Sequence, residues 1–194
     1  MRFMRGLVGV APVLIILAMC QPAMSQAAAQ KKTAPAPAQS PAARGRYLVM
    51  LGGCHDCHTP KIKGEVDFKR QFMGHPANEK VTPVPNNLLA PDKWGALTNN
   101  HLTAWVGPWG VSYAANLTPD KNTGLGSWTP QMFVQAIRTG KNRGTGRAIL
   151  PPMPWVMYKD VTDADLRAIF AYLQSLPPIN NLVPPPLPPN MIPR

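Results

Sequence analysis

Cys54-His55-Asp56-Cys57-His58 sets two thiols three positions apart with an imidazole directly after the second, a C-x-x-C-H signature. At that spacing each thiol can add its S–H across one vinyl group of a haem, and the next residue then offers its imidazole to the iron. The signature predicts one covalent haem c, attached through Cys54 and Cys57, with His58 as the proximal ligand. A thioredoxin-like dithiol and half of a zinc site share the C-x-x-C spacing. The dithiol has no need of His58, and a zinc site takes about four ligands, which this chain does not obviously supply. The chain has three cysteines. Cys20 lies in a segment expected to be removed, which leaves Cys54 and Cys57 alone. A disulfide between them would close a tiny loop and add little stability, so chemistry explains the pair better than stapling does.

A haem iron bound by one histidine needs a sixth ligand. Beyond the leader the methionines are Met50, Met73, Met132, Met153, Met157 and Met191, and most methionines are core filler. Met153 stands in Pro151-Pro152-Met153-Pro154, where prolines stiffen the loop that would hold a thioether toward iron. Met153 is therefore the expected ligand and Met157 the second candidate. His75 and His101 read as surface or hydrogen-bonded histidines and come next in line. His/Met ligation is low-spin, closes the iron to substrate and raises its potential, which suits electron transfer rather than oxygen or peroxide chemistry. Trp109, Trp128, Arg138 and Arg147 either touch the haem edge and propionates or serve in packing and at the surface.

The elements that must position these groups are mainly helical. Tyr47, Leu48 and Leu51 recur at helical spacing over 43–51, and Gly52-Gly53 ends that helix just before the motif. The stretch 59–115 is dense in Pro, Gly and Asn and predicts loops, with helical turns at 87–89 and 97–105 and one short extended piece at 111–113. Thr129-Pro130 is an N-cap followed by Pro at the first helical position; Phe133, Ala136 and Ile137 form the apolar face, and Gly140 ends it. A last helix starts at Thr162-Asp163-Ala164-Asp165, carries Leu166, Ile169, Phe170 and Leu173 on its buried stripe, and closes at Pro177-Pro178.

Residues 1–25 have Arg2 and Arg5 ahead of an apolar run interrupted by Pro12, the layout of a secretory signal peptide. The run is shorter than the roughly 20 residues of a membrane span, so membrane association is expected only through an uncleaved leader. Leu17-Ala18-Met19-Cys20 departs from a lipobox, with Met where a small residue belongs. Residues 26–42 form an Ala/Pro-rich linker, 43–178 the folded domain, and 179–194 a Pro-rich tail that either wraps the domain or hangs free. Without the leader, 18 basic residues face nine acidic ones, a net of +9. Such a balance implies acidic partners or an anionic surface, and the leader and the haem motif argue against nucleic acid. Lys61, Lys63, Lys69 and Arg70 follow the motif, while Lys141, Arg143 and Arg147 precede Met153, so basic flanks could meet an acidic docking face.

A helix leading into C-x-x-C-H, a methionine on a Pro-rich loop and a C-terminal helix together resemble the class I cytochrome c fold, with short helices and long loops round the haem. Gly107-Pro108-Trp109-Gly110, Asn116-Leu117-Thr118-Pro119-Asp120, Thr123-Gly124-Leu125-Gly126-Ser127-Trp128, Leu150-Pro151-Pro152-Met153-Pro154 and the 165–173 helix resemble cytochrome c subunits of periplasmic quinoprotein-type dehydrogenases. The resemblance covers about 44–178. It implies a periplasmic electron carrier without substrate chemistry of its own, moving single electrons from a dehydrogenase to a downstream acceptor, or a dedicated subunit of such an enzyme. Those subunits often carry two or three haem motifs and this chain carries one, so a single relay point is expected. The alternative from a different class is a C-x-x-C thiol oxidoreductase.

Overall fold

A computed structural model describes residues 39–90 and 92–194; the expected leader and most of the expected linker lie outside the described residues. Helix α1, Pro41–Leu51, starts two residues ahead of its expected position because Ser40 caps it, its side chain accepting from the Ala43 amide at 3.2 Å. Helix α2, Cys54–His58, is the C-x-x-C-H motif itself. Between them Gly53 sits at φ 62°, a left-handed conformation that costs glycine little. Helices α3 (Pro130–Thr139), α4 (Trp155–Tyr158) and α5 (Asp163–Gln174) follow a long middle region. The caps are those expected, Thr129 on α3 and Thr162 on α5, each hydroxyl accepting an amide hydrogen three residues on.

Helix α1 packs chiefly on α5, and α3 also lies against α5. At the α1–α5 crossing Gly45 brings the backbones so close that a Cβ there would stand 1.9 Å from the Ala168 carbonyl oxygen. Arg44 pairs with Asp165 across the same crossing, Nε to Oδ1 at 3.0 Å. The core gathers Val49, Phe72, Leu125, Phe133, Val134, Ile137, Leu166, Phe170 and Leu173.

The middle region departs from expectation. Residues 97–105 do not form a helical turn: β3 (Leu97–Thr98) and β4 (Ala104–Gly107) pair antiparallel, and β5 (Gly110–Tyr113) adds to β4 with Val106 opposite Val111. Asn99 explains the reversal. Its Oδ1 accepts from the amides of Thr103 and Ala104, at 3.0 and 3.1 Å, which closes a turn between two strands where the sequence suggests a short helical turn. A smaller hairpin, β1 (Lys61–Ile62) with β2 (Glu65–Val66), directly follows the motif. The described chain is thus a helical core joined to two small sheets rather than helices and loops alone. Among the described residues no helix is long and apolar enough to cross a membrane.

The Pro-rich C-terminal segment runs extended over the larger sheet. Val111 and Leu187 exchange both backbone hydrogen bonds, at 2.8 and 3.0 Å, and the Val84 amide donates to Pro193. Ile192 enters a second apolar cluster with Val84, Val106 and Val111. Asn181 fastens the segment from beneath, its Nδ2 donating to the carbonyls of Met73 and His75 while Oδ1 accepts from the Ala77 amide.

Candidate functional site

Cys54 and Cys57 are free thiols, both half-buried. Burial pushes the Cys54 thiol up to about 11 and raises Cys57 as well, so both remain neutral S–H groups at pH 7. A thiol–disulfide enzyme needs the opposite, a depressed pKa that supplies thiolate. Among the described residues no three His, Cys, Asp or Glu side chains gather as a metal cluster.

His58 is held by a loop far along the chain. Its Nδ1 lies 2.8 Å from the Ala115 carbonyl oxygen. A carbonyl only accepts, so Nδ1 carries the hydrogen and Nε2 keeps its lone pair. Burial lowers the His58 pKa, with the bond to Ala115 working in the other direction, and the ring is neutral at pH 7. The 114–117 loop that receives it is fixed in turn: Ala114 O accepts from the His75 amide, the Leu117 amide donates to Phe72 O, and the Gly74 amide donates to His58 O. Gly74, at φ 76°, permits this approach, since a Cβ there would sit 2.4 Å from Ala114 O. Asn116 anchors the loop to the C-terminal segment, donating from Nδ2 to Ile179 O at 2.8 Å.

The two candidate methionines are sorted by environment. Met153 is half-buried against the helical core, as is Cys54, whereas Met157 is 75% exposed. The Pro151–Pro152 peptide in this loop is cis. His75 is fully buried, with Nδ1 on the Thr103 hydroxyl and Nε2 on Glu79 O; His101 pairs with Glu79 through Nε2 at 3.0 Å. His101 Nδ1 also accepts from the Lys61 amide at 3.3 Å, so both ring nitrogens of each histidine are engaged by protein groups. Arg138 is likewise committed to structure, donating to the carbonyls of Lys159 and Val161 and to Asp163. Trp128 lies under the Arg143 guanidinium and packs on the core, and Arg147 is exposed.

Several residues around the motif carry no sequence signal strong enough to single them out. His55 is buried, stacks on Phe72 at 4.0 Å between ring centroids, and shares a hydrogen bond with Thr59. Tyr158 and Ser112 each bond to backbone near the candidate ligands. Their partners lie 106 and 39 positions away, beyond the reach of any local pattern.

The helical core thus carries two neutral thiols, an imidazole with a directed lone pair, and a thioether on the core side of its loop. No family model matches the chain. In sequence it is similar to cytochrome c subunits of dehydrogenases. It is 31% identical over 129 residues to the gluconate 2-dehydrogenase cytochrome c subunit of Pantoea cypripedii, covering 66% of this chain and 22% of that one. It is 30% identical over 142 residues to the fructose dehydrogenase cytochrome subunit of Gluconobacter japonicus, covering 73% and 22%. It also matches a nicotinate dehydrogenase subunit of Pseudomonas putida, 39% identical over 141 residues, 73% of this chain and 9% of that protein. The chain spans less than a quarter of the length of these relatives.

Proposed function

We propose that this chain is an exported, single-haem c-type cytochrome that relays electrons for a dehydrogenase, as a dedicated subunit or as its carrier, and has no substrate chemistry of its own. The observation that carries this reading is the His58–Ala115 hydrogen bond, which leaves Nε2 as a ready ligand one residue after Cys57. Cys54 and Cys57 would attach haem c by adding S–H across its two vinyl groups, and His58 and Met153 would be the axial ligands. When bound, the haem supplies one-electron Fe(III)/Fe(II) cycling. The chain's own part is to hold the imidazole in one tautomer, keep the thioether on the core side of its loop and exclude water with the apolar side chains of the helical core. Relatives named as cytochrome subunits of dehydrogenases support the subunit form.

The test uses the exported holoprotein. Covalent haem should survive a denaturing gel and stain. Met153→Ala should keep that stain, lose the long-wavelength sulfur-to-iron band of the oxidised form, bind cyanide readily and show a lower reduction potential. Met157→Ala should change none of these. An unstained wild-type chain would overturn the whole reading, and a band that follows Met157 would reassign the ligand.

An acidic partner face fits the charge of the surface near the site. Lys63 and Lys69 after the motif, and Lys141 and Arg147 before Met153, are exposed, whereas Lys61 donates to Asp56 O and Arg70 pairs with Asp67. Electron transfer to the partner should slow steeply as salt rises through about 0.1 M, where the Debye length is ~10 Å. A rate indifferent to salt would point to apolar docking instead.

A further inference from the structure

The segment that bears Met153 is fastened at both ends by hydrogen bonds to distant parts of the chain. Upstream, Trp109 folds back over Gly107 so closely that a Cβ on Gly107 would meet the indole ring at 2.4 Å. Its Nε1 donates to Ser112 Oγ at 3.2 Å. An indole nitrogen only donates, so this bond occupies a lone pair of the hydroxyl and leaves its proton for the Pro151 carbonyl, 2.5 Å away. Downstream, Tyr158 donates to the Gly52 carbonyl at 2.7 Å. Burial raises the Tyr158 pKa, which keeps the phenol a donor through the neutral range. Gly52 stands two residues before Cys54, so this bond ties the far end of the Met153 segment to the approach of the attachment helix.

We propose that Ser112 and Tyr158 are positioning residues for Met153, clamping residues 151–158 between the β4–β5 hairpin and the start of the attachment helix so that Met153 faces the core and Met157 faces solvent. The proposal rests on the reading of Met153 as the axial ligand. Two fixed points bracket the methionine, two residues ahead and five behind. With either released, the segment can swing outward and the thioether leaves its place more often. The hairpin thereby acquires a role that its small core does not itself require.

The experiment measures, on oxidised exported holoprotein, the sulfur-to-iron band and the rate at which cyanide displaces the thioether. Ser112→Ala and Tyr158→Phe should each keep covalent haem and the band while raising the cyanide rate about tenfold, equivalent to ~1.4 kcal/mol in the opening of the segment. The double variant should exceed either single one. Trp109→Phe, which keeps the Ser112 hydroxyl but removes the donor that orients it, should give a smaller rise. Arg44→Gln, which breaks the ion pair with Asp165 at the α1–α5 crossing, should leave the cyanide rate within about twofold. Should Ser112→Ala fail to mature, Trp109→Phe and Tyr158→Phe carry the same test. If Met153→Ala abolishes the band but the clamp variants leave the cyanide rate unmoved, the clamp is overturned and the ligand assignment stands. If Met153→Ala keeps the band, both fall together.

Discussion

The helical region and the sheet region of this chain hold themselves together differently. Helices α1, α3 and α5 close round nine buried apolar side chains, while the sheet and the C-terminal segment over it share only Val84, Val106, Val111 and Ile192. The sheet region compensates with directed polar contacts: Asn99 closes its turn, the Thr103 hydroxyl meets His75, and Asn181 binds three backbone groups under the C-terminal segment. Apolar packing tolerates small adjustments among many neighbours, whereas a buried hydrogen bond is either made or lost at the full desolvation cost. The candidate site draws on both. Cys54 and Met153 lean on the helical core, while His58 is aimed by a carbonyl in the loop just beyond β5.

The largest expected effect contrasts the two cores directly. Leu166→Ala, at a side chain only 1% exposed in the middle of the helical core, should cost about 3 kcal/mol. Ile192→Ala deletes a side chain of similar size near the end of the chain, where the neighbourhood can collapse, and should cost about 1–2 kcal/mol. Urea midpoints of the two holoprotein variants measure both. Equal losses would mean that the C-terminal segment is as much a part of the main core as α5 is.

A smaller effect separates the regions by pH. His75 is fully buried in the sheet region, and burial holds its pKa below the ordinary value of about 6.5. The unfolded chain therefore takes up the proton first as pH falls, so stability is full above that ordinary value. It declines below it, by at most about 1.4 kcal/mol per pH unit from this group, until the folded histidine is protonated too. His55, buried within α2 and also depressed by burial, adds the same sign on the helical side. In His75→Gln the slope should shrink, and amide exchange in β3–β5 should become less sensitive to acid than in wild type. An unchanged slope would assign the effect to the buried histidines of the helical side and leave the sheet region without its own pH response.

The sheet was hidden because its strands are only two to four residues long and because Asn99, Thr103 and Asn181 work through contacts rather than patterns. Residues 97–105 carry no sustained apolar period of either kind. Only the side chain of Asn99, folded back on the amides of Thr103 and Ala104, makes them two strands and a turn. The proline content of 177–194 excluded helix but was silent on whether the segment packs. Val111 settles that by exchanging two hydrogen bonds with Leu187.

By itself the sequence determined whatever is written in consecutive or helically spaced residues. These are the C-x-x-C-H helix at 54–58, the caps at Thr129 and Thr162, the glycine break before Cys54, and the apolar stripes of α3 and α5. Such features are set by covalent spacing and by backbone hydrogen bonds within a few residues, so a local reading reaches them. Tertiary structure alone decided which carbonyl receives His58, 57 positions away, and which tyrosine reaches Gly52, 106 positions away. It also decided which of two methionines four residues apart turns inward. Those outcomes depend on where distant backbone segments come to lie once the helices pack, and no pattern among neighbouring residues encodes that placement.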